Sequence, residues 1–309
     1  MQPLTTLKSY IHIYIIRYVY ITLLLSITSA RAQQVQQDSL RTKKNVLIVT
    51  SAVGLVGLNA ALYYAWYANY NTGKFHTFND NSEWQGADKI GHTFTTFNLG
   101  KAMINASYNA GWKSPKQQLL AGSVGLLFMT SIEVQDGFSK GWGFSWGDMA
   151  ANTLGTALAV SQGIALKNKY PFQIKFLYMP SSIAQYNPRL LGSSASERVL
   201  KDYNAQSYWL CFYPKQLFTH SVLPAYLGVS VGYKATGMLG AHNNDAFSTQ
   251  YYRTQRYYLS LDIDVSKLKT KHKWLNKTLN VISFIKIPLP ALSIDNKGVW
   301  RGQLLPWSQ

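Results

Sequence analysis

Asp88 and His92 stand four residues apart, so on a helix they share one face. Lys89 lies between them on a neighbouring face. Glu133 ends an apolar stretch, with Asp136 three residues on, and Asp148 and Asn152 again stand four apart. Three helix ends therefore each carry a carboxylate that could meet at one point. Burying several carboxylates costs several kcal/mol each unless they are paired, protonated or metal-bound. Two kinds of chemistry fit. His92, oriented by Asp88 or Asp148, could act as a general base. Asp88, His92, Glu133 and Asp148 are also a suitable ligand set for a divalent cation. On spacing alone a purely structural reading leads: Lys89 and His92 pair the acids, Asp88 and Asp148 sit where helix N-termini favour negative charge, and Asn152 ties two helices together.

The elements that must position these groups can be read from the periodicity. The spacing predicts helices over 46–68, 88–110, 115–134 and 146–167. Asn45 is the expected cap of the first, and Ser114-Pro115 is a start signal for the third. After Pro171 the period changes from about 3.6 to 2. Strands are expected at 172–178, 207–213, 224–233, 255–266 and 279–287. In the fourth, Tyr257, Leu259, Leu261, Ile263 and Val265 form one face and Tyr258, Ser260, Asp262 and Asp264 the other, the pattern of a half-buried antiparallel strand. Five strands are too few for a closed outer-membrane barrel, whose smallest number is eight. The expected fold class is α+β: about four packed, partly membrane-type helices followed by a mainly antiparallel sheet of about five strands.

Composition and charge point to an address. The chain has 309 residues, 47% hydrophobic and only 14% charged, with 30 Lys and Arg against 13 Asp and Glu. Apolar content excludes disorder over most of the chain, and a single cysteine, Cys211, excludes a disulfide scaffold. Residues 1–32 hold Lys8, Arg17 and Arg31, no acid, an apolar run and Ala30-Arg31-Ala32, which together read as a secretory signal peptide. Residues 33–45 are expected to be a flexible linker, 46–170 a helical domain and 171–309 a β-rich region. The 46–67 stretch is uncharged and ends in Tyr63, Tyr64, Trp66 and Tyr67, so it could cross a bilayer or fill a core. Positive charge gathers late, densest at Lys267, Lys269, Lys271, Lys273 and Lys277. For an exported protein, anionic lipid headgroups are the expected partner rather than nucleic acid, and a plain solvated loop is equally open. Cys211, between Leu210 and Phe212, is expected to be an inert buried thiol. Asp262 and Asp264 are expected to face basic side chains across the sheet.

Asp88-Lys89-Ile90-Gly91-His92, Glu133-Val134-Gln135-Asp136-Gly137 and the run from Ser145 through Asp148 and Asn152 to Gly155 resemble the three blocks of the YfiM-like family. That family is a domain of unknown function described as predicted periplasmic lipoproteins. The order of the blocks is also similar, more distantly, to the VanZ-like membrane family, linked to glycopeptide-antibiotic tolerance. Stretches at 225–238, 256–265 and 284–292 resemble longer Bacteroidota members. The resemblance covers roughly residues 85–165 and implies a cell-envelope location, periplasmic or membrane-associated, with Asp88, Lys89, His92, Glu133, Asp136, Asp148 and Asn152 as motif positions. It implies no reaction. The chain departs from a lipoprotein in having no cysteine at the expected cleavage site. The leading expectation is a non-enzymatic envelope protein, structural or lipid-interacting. The alternative is a membrane-embedded hydrolase or transferase acting on a lipid or cell-wall precursor, with His92 as base and Asp88, Glu133 and Asp148 as orienting or cation-binding groups.

Overall fold

The computed structural model describes residues 4–64, 72–218, 220–245 and 251–304. The first element, α1 (Leu4–Leu62), runs unbroken for 59 residues. It absorbs the stretch 33–45, expected to be a linker, and leaves Asn45 inside the helix rather than at its cap. Gln, Leu, Arg and Lys dominate that stretch, all good helix formers, and no Gly or Pro interrupts it. Its Gln33–Leu62 portion is long and apolar enough to cross a membrane. Val46, Val49, Val53 and Val56 are exposed along it. Trp66 and Tyr67, expected to form its aromatic end, lie outside the described residues.

Four helices follow: α2 (Ala87–Asn109), α3 (Pro115–Gly122), α4 (Val124–Phe138) and α5 (Trp146–Ala165). The helix expected over 115–134 is two helices broken at Ser123. The run Gly122-Ser123-Val124-Gly125 is poor in helix propensity, and both glycines press against α2, where a Cβ on Gly125 would come within 3.0 Å of Thr96 O. Ser114 caps α3 with a reciprocal bond to Gln117. The main helix pair, α2 and α5, crosses at Gly155, where a Cβ would lie 2.2 Å from Thr93 O. The far end of α1 is tied to α4, since Ser131 Oγ donates to Asn59 Oδ1 at 2.6 Å.

The C-terminal half is a six-stranded antiparallel meander in the order β1 to β6. The strands are β1 (Phe172–Tyr178), β2 (Gln206–Phe212), β3 (Leu227–Thr236), β4 (Thr254–Ile263), β5 (Ala291–Asp295) and β6 (Trp300–Gln303). Short helices decorate it: α6 (Pro188–Leu191), α7 (Ala195–Lys201), α8 (Pro214–Leu217) and α9 (Lys273–Val281). The architecture is α+β, helices then sheet. The strand expected over 279–287 is instead the end of α9 and a 3-10 turn at Ile282–Phe284, with Ile285 alone bridging to Phe176. Leu275 and Leu279, four apart, share a half-buried helix face there. The two last strands escape periodicity because β5 carries only three apolar residues and β6 only Trp300, around the turn at Gly298, whose φ is +80°.

The sheet's sidedness is inverted relative to a water-soluble strand. On β4, Tyr258, Ser260 and Asp262 are buried, while Leu259 and Leu261 are each 54% exposed. The buried face holds ions: Asp262 meets Lys175 Nζ at 2.7 Å and Lys286 Nζ at 3.2 Å, all three fully buried. Tyr213 Oη also donates to Asp262, and Lys286 lies 4.8 Å over the Trp209 ring. Asp262 thus faces lysines, as its strand position predicts. Asp264 instead accepts from Gln173 and Gln216. Cys211 is buried on the same face.

Candidate acid–base centre

The site begins at the turn before α2. Trp84 and Gln85 have φ of +47° and +53°, and Gly86 has +77°. Two non-glycine residues in the left-handed region are strained, by about 1–3 kcal/mol each, and persist only where neighbours fix them. Tyr233 Oη donates to Gln85 O at 2.5 Å, and the Trp84 ring packs 5.2 Å from that of Tyr203. This turn delivers Asp88, Lys89 and His92 on the first two turns of α2.

Glu133 arrives from α4 and Asp148 and Asn152 from the first turns of α5. Ser145 caps α5 by accepting from Asp148 N at 3.1 Å, and its own N–H donates to Glu133 Oε2 at 3.2 Å. The cap that starts α5 therefore also locks Glu133.

Lys89 Nζ sits among three carboxylates, 2.7 Å from Asp80 Oδ1, 3.1 Å from Asp88 Oδ2 and 2.8 Å from Asp148 Oδ1. His92 occupies the other side of the same acids. Its Nε2 lies 3.7 Å from both Asp88 Oδ1 and Asp148 Oδ1, and its Nδ1 lies 3.2 Å from Asn152 Oδ1 and 3.5 Å from Glu133 Oε1. Glu133 Oε1 and Asn152 Nδ2 are buried without a hydrogen-bond partner. Tyr203 Oη donates to Asp88 Oδ1. Asp136, one turn beyond Glu133, lines the adjoining cavity.

Three carboxylates crowd one ammonium and a fourth, Glu133, lies beside His92, and the charge imbalance is met by protons. Burial, then the Asp136 charge, pushes the Glu133 carboxyl up to about 8. Burial, the Asp88 charge and a hydrogen bond shared with Asp80 hold Asp148 well above the carboxylate range. Burial alone would raise Asp88 too, but His92, Lys89 and the Tyr203 hydroxyl outweigh it and keep it low. Burial holds His92 below its ordinary value. Lys89 is held charged by Asp88, Asp148 and Asp80 against its own burial. When His92 Nδ1–H donates to Asn152 Oδ1, Nε2 turns a lone pair toward Asp88 and Asp148. A neutral imidazole then stands beside a carboxyl that keeps its proton, which is the division of roles an acid–base pair needs.

The cluster opens into a cavity of about 480 Å³. Asp80, Asp88, His92 and Asp148 line its polar end. Phe94, Phe128 and Met129 from the helices and Phe176, Tyr208 and Phe284 from the β-rich half form apolar walls. The six expected residues Asp88, Lys89, His92, Glu133, Asp148 and Asn152 meet at one point, and Asp136 stands at its edge. Asp80 and Tyr203 are additions. Asp80 comes from the loop before α2, where no periodicity marks it. Tyr203 comes from the β-rich half, and no spacing in the sequence links it to Asp88.

Residues 76–162 match the model of a family described as predicted periplasmic lipoprotein (DUF2279). The match spans α2 to α5 and every member of the cluster except Tyr203. It supports an exported protein of the cell envelope. No curated protein and no solved structure matches the chain.

Proposed function

We propose that this envelope protein is held at a membrane by α1 and that its helical half forms an acid–base centre for an amphiphilic molecule, a lipid or lipid-linked cell-wall precursor. The observation that carries this reading is the placement of His92, Asp88 and Asp148 in a cavity that also has aromatic and aliphatic walls, with the cations Arg189 and Lys201 on its lining. Such a cavity suits a ligand with a polar head and an apolar tail. His92 is the base, Asn152 orients its ring through Nδ1–H, and the Asp88 charge favours the proton that Nε2 takes up. Asp148 holds the proton that a leaving group needs, and Lys89 sets the charge of the acids around it. The reaction class is hydrolysis or group transfer at the ligand's head.

The test is mass spectrometry of envelope lipid extract incubated with the full-length protein, wild type against His92→Gln. The expected result is a lipid species consumed by wild type and left intact by a folded His92→Gln variant. Equal consumption by both would remove His92 from the chemistry. A wild-type protein that neither retains nor alters any lipid would overturn the pocket reading and leave the cluster as helix-to-helix architecture.

One observation favours a second reading. Asp88, His92 and Asp148 each offer a ligand atom within 4.8 Å of one another. Atoms held about 2.1 Å from a tetrahedral cation stand about 3.4 Å apart, close to the 3.7 Å from Nε2 to each carboxylate. These residues would hold a divalent cation once Lys89 swings aside, and the ion would supply Lewis acidity at the ligand's head. Native mass spectrometry of wild type and Asp148→Ala distinguishes the readings: an ion mass lost in the variant supports the cation.

A further inference from the structure

The strands turn one face outward. Along it run three cross-strand rows fixed by the register: Phe172, Phe212, Val229 and Leu261; Ile174, Leu210, Val231, Leu259 and Leu292; and Phe176, Tyr208, Tyr233, Tyr257, Ile294 and Trp300. None of these side chains is charged. The β1 end of the face packs under α2, where Phe94 meets Phe176 and Tyr208 at 5.5 and 5.7 Å. The rest is bare: Leu210, Val231, Leu259 and Leu292 are each about half exposed, and Trp300 is 68% exposed. The hidden face of the same sheet holds Lys175, Asp262 and Lys286. A sheet built for water puts its ions outside and its leucines inside. This one does the reverse, which is the patterning of a sheet that faces hydrocarbon.

We infer that the outer face of β2 to β6 is a lipid-contact surface that seats in one leaflet of a bilayer. The outward rows grade from aliphatic to aromatic. Val231, Leu259 and Leu292 occupy the middle, and Tyr233, Tyr257 and Trp300 form a row at one end, as side chains do at the membrane–water boundary. Four residues along a strand separate the outer rows, about 13 Å. That is less than half of what a span requires. A shallow groove of about 550 Å³ between Leu259, Leu261, Pro290 and Leu292 lies on this face and fits an acyl chain. Charge complementarity supplies the second argument. The segment joining β4 to β5 carries Lys267, Lys269, Lys271, Lys273 and Lys277, and beside them Trp274 is 65% exposed. This segment leaves β4 beyond Leu261, at the end of the face opposite the Tyr257 row, so headgroup-seeking side chains flank the aliphatic middle at both ends, as on a face laid flat in one leaflet. The cavity takes only Phe176 and Tyr208 from these rows, and the bare part of the face shares no residue with it.

Vesicle binding alone does not test the inference, because α1 can hold the chain to lipid. The surroundings of a label do. A nitroxide is placed on Leu259→Cys in the full chain carrying Cys211→Ser, and a second on Lys297→Cys at the β5–β6 turn. Both are measured in vesicles of phosphatidylethanolamine and phosphatidylglycerol, using oxygen and a water-soluble nickel chelate as collision reagents. At Leu259 oxygen should relax the label at least several-fold more than nickel, with the order reversed at Lys297. Nickel access at Leu259 equal to that at Lys297 means water on this face and overturns the inference. Exclusion of both reagents means a protein contact, such as a second copy, and overturns it too.

Discussion

Glu133 Oε1 lies 3.5 Å from His92 Nδ1, fully buried, and no hydrogen-bond donor among the described residues reaches it. Its partner oxygen is held by the backbone N–H of Ser145. The carboxyl therefore gains from one amide and loses most of its hydration, and it keeps its proton up to about pH 8. Its value in the unfolded chain is near 4.5.

The sign of the pH effect follows. Between about 4.5 and 8 the folded protein holds a proton that the unfolded chain has released. Stability then falls as pH rises through that window. Glu133→Gln removes this contribution, so the variant should melt higher than wild type at pH 8 and by a smaller margin at pH 5. Thermal melts at the two pH values check this. A margin that does not change with pH would mean that Glu133 is ionised in the fold.

Lys89 is the ammonium shared by Asp80, Asp88 and Asp148. Lys89→Met leaves those carboxylates facing one another in a site that is mostly closed to water. The expected loss is about 3–5 kcal/mol, read from urea unfolding. Asp80→Asn, which keeps the lysine and removes one acid, should cost far less.

Gly155 is where α2 and α5 touch. An added methyl would lie 2.2 Å from both Thr93 O and Thr96 Oγ1, backbone and hydroxyl of the helix that carries His92. Alanine's better helix propensity contributes at most about 1 kcal/mol, while forcing the helices apart costs about 3 kcal/mol. Gly155→Ala should therefore be a net loss in a melting experiment, whereas Ala159→Gly, one turn on, should lose only the propensity and a methyl contact.

The ion cluster behind the sheet gives an asymmetric pair of outcomes. Asp262→Ala strands Lys175 and Lys286 together in the interior and should cost about 3–5 kcal/mol. Lys286→Met leaves the Lys175–Asp262 pair balanced and keeps an apolar stem against Trp209, so its cost should be smaller. Equal losses in chemical denaturation would show that the second lysine is not surplus.

Much of this was legible in the sequence for a physical reason. Asp88, His92, Asp148 and Asn152 stand at helical spacings, and few charges compete with them in an apolar half, so their convergence could be anticipated. The period of two after Pro171 marks the first strand at the bounds it has in the fold, Phe172–Tyr178. What escaped depends on contacts that spacing does not encode. Asp80 joins Lys89 through a loop, and Tyr203 reaches Asp88 across 115 residues. Alternation on β4 located two faces, but not which one is hidden. That choice is made by Lys175 and Lys286, which arrive from other segments to neutralise Asp262. The run 279–287 misled because a short apolar stretch fits strand and helix alike, and the i,i+4 pair Leu275 and Leu279 decided for helix.

The most direct test of the acid–base account is the protonation state of His92 at pH 7. Ring ¹⁵N shifts, assigned by comparison with His92→Gln, report it without a substrate. The account predicts a neutral imidazole with its proton on Nδ1 toward Asn152 and a bare Nε2 facing Asp88 and Asp148. A doubly protonated ring would contradict it, because His92 would then serve as a fixed cation among the carboxylates, with no capacity left to accept a proton.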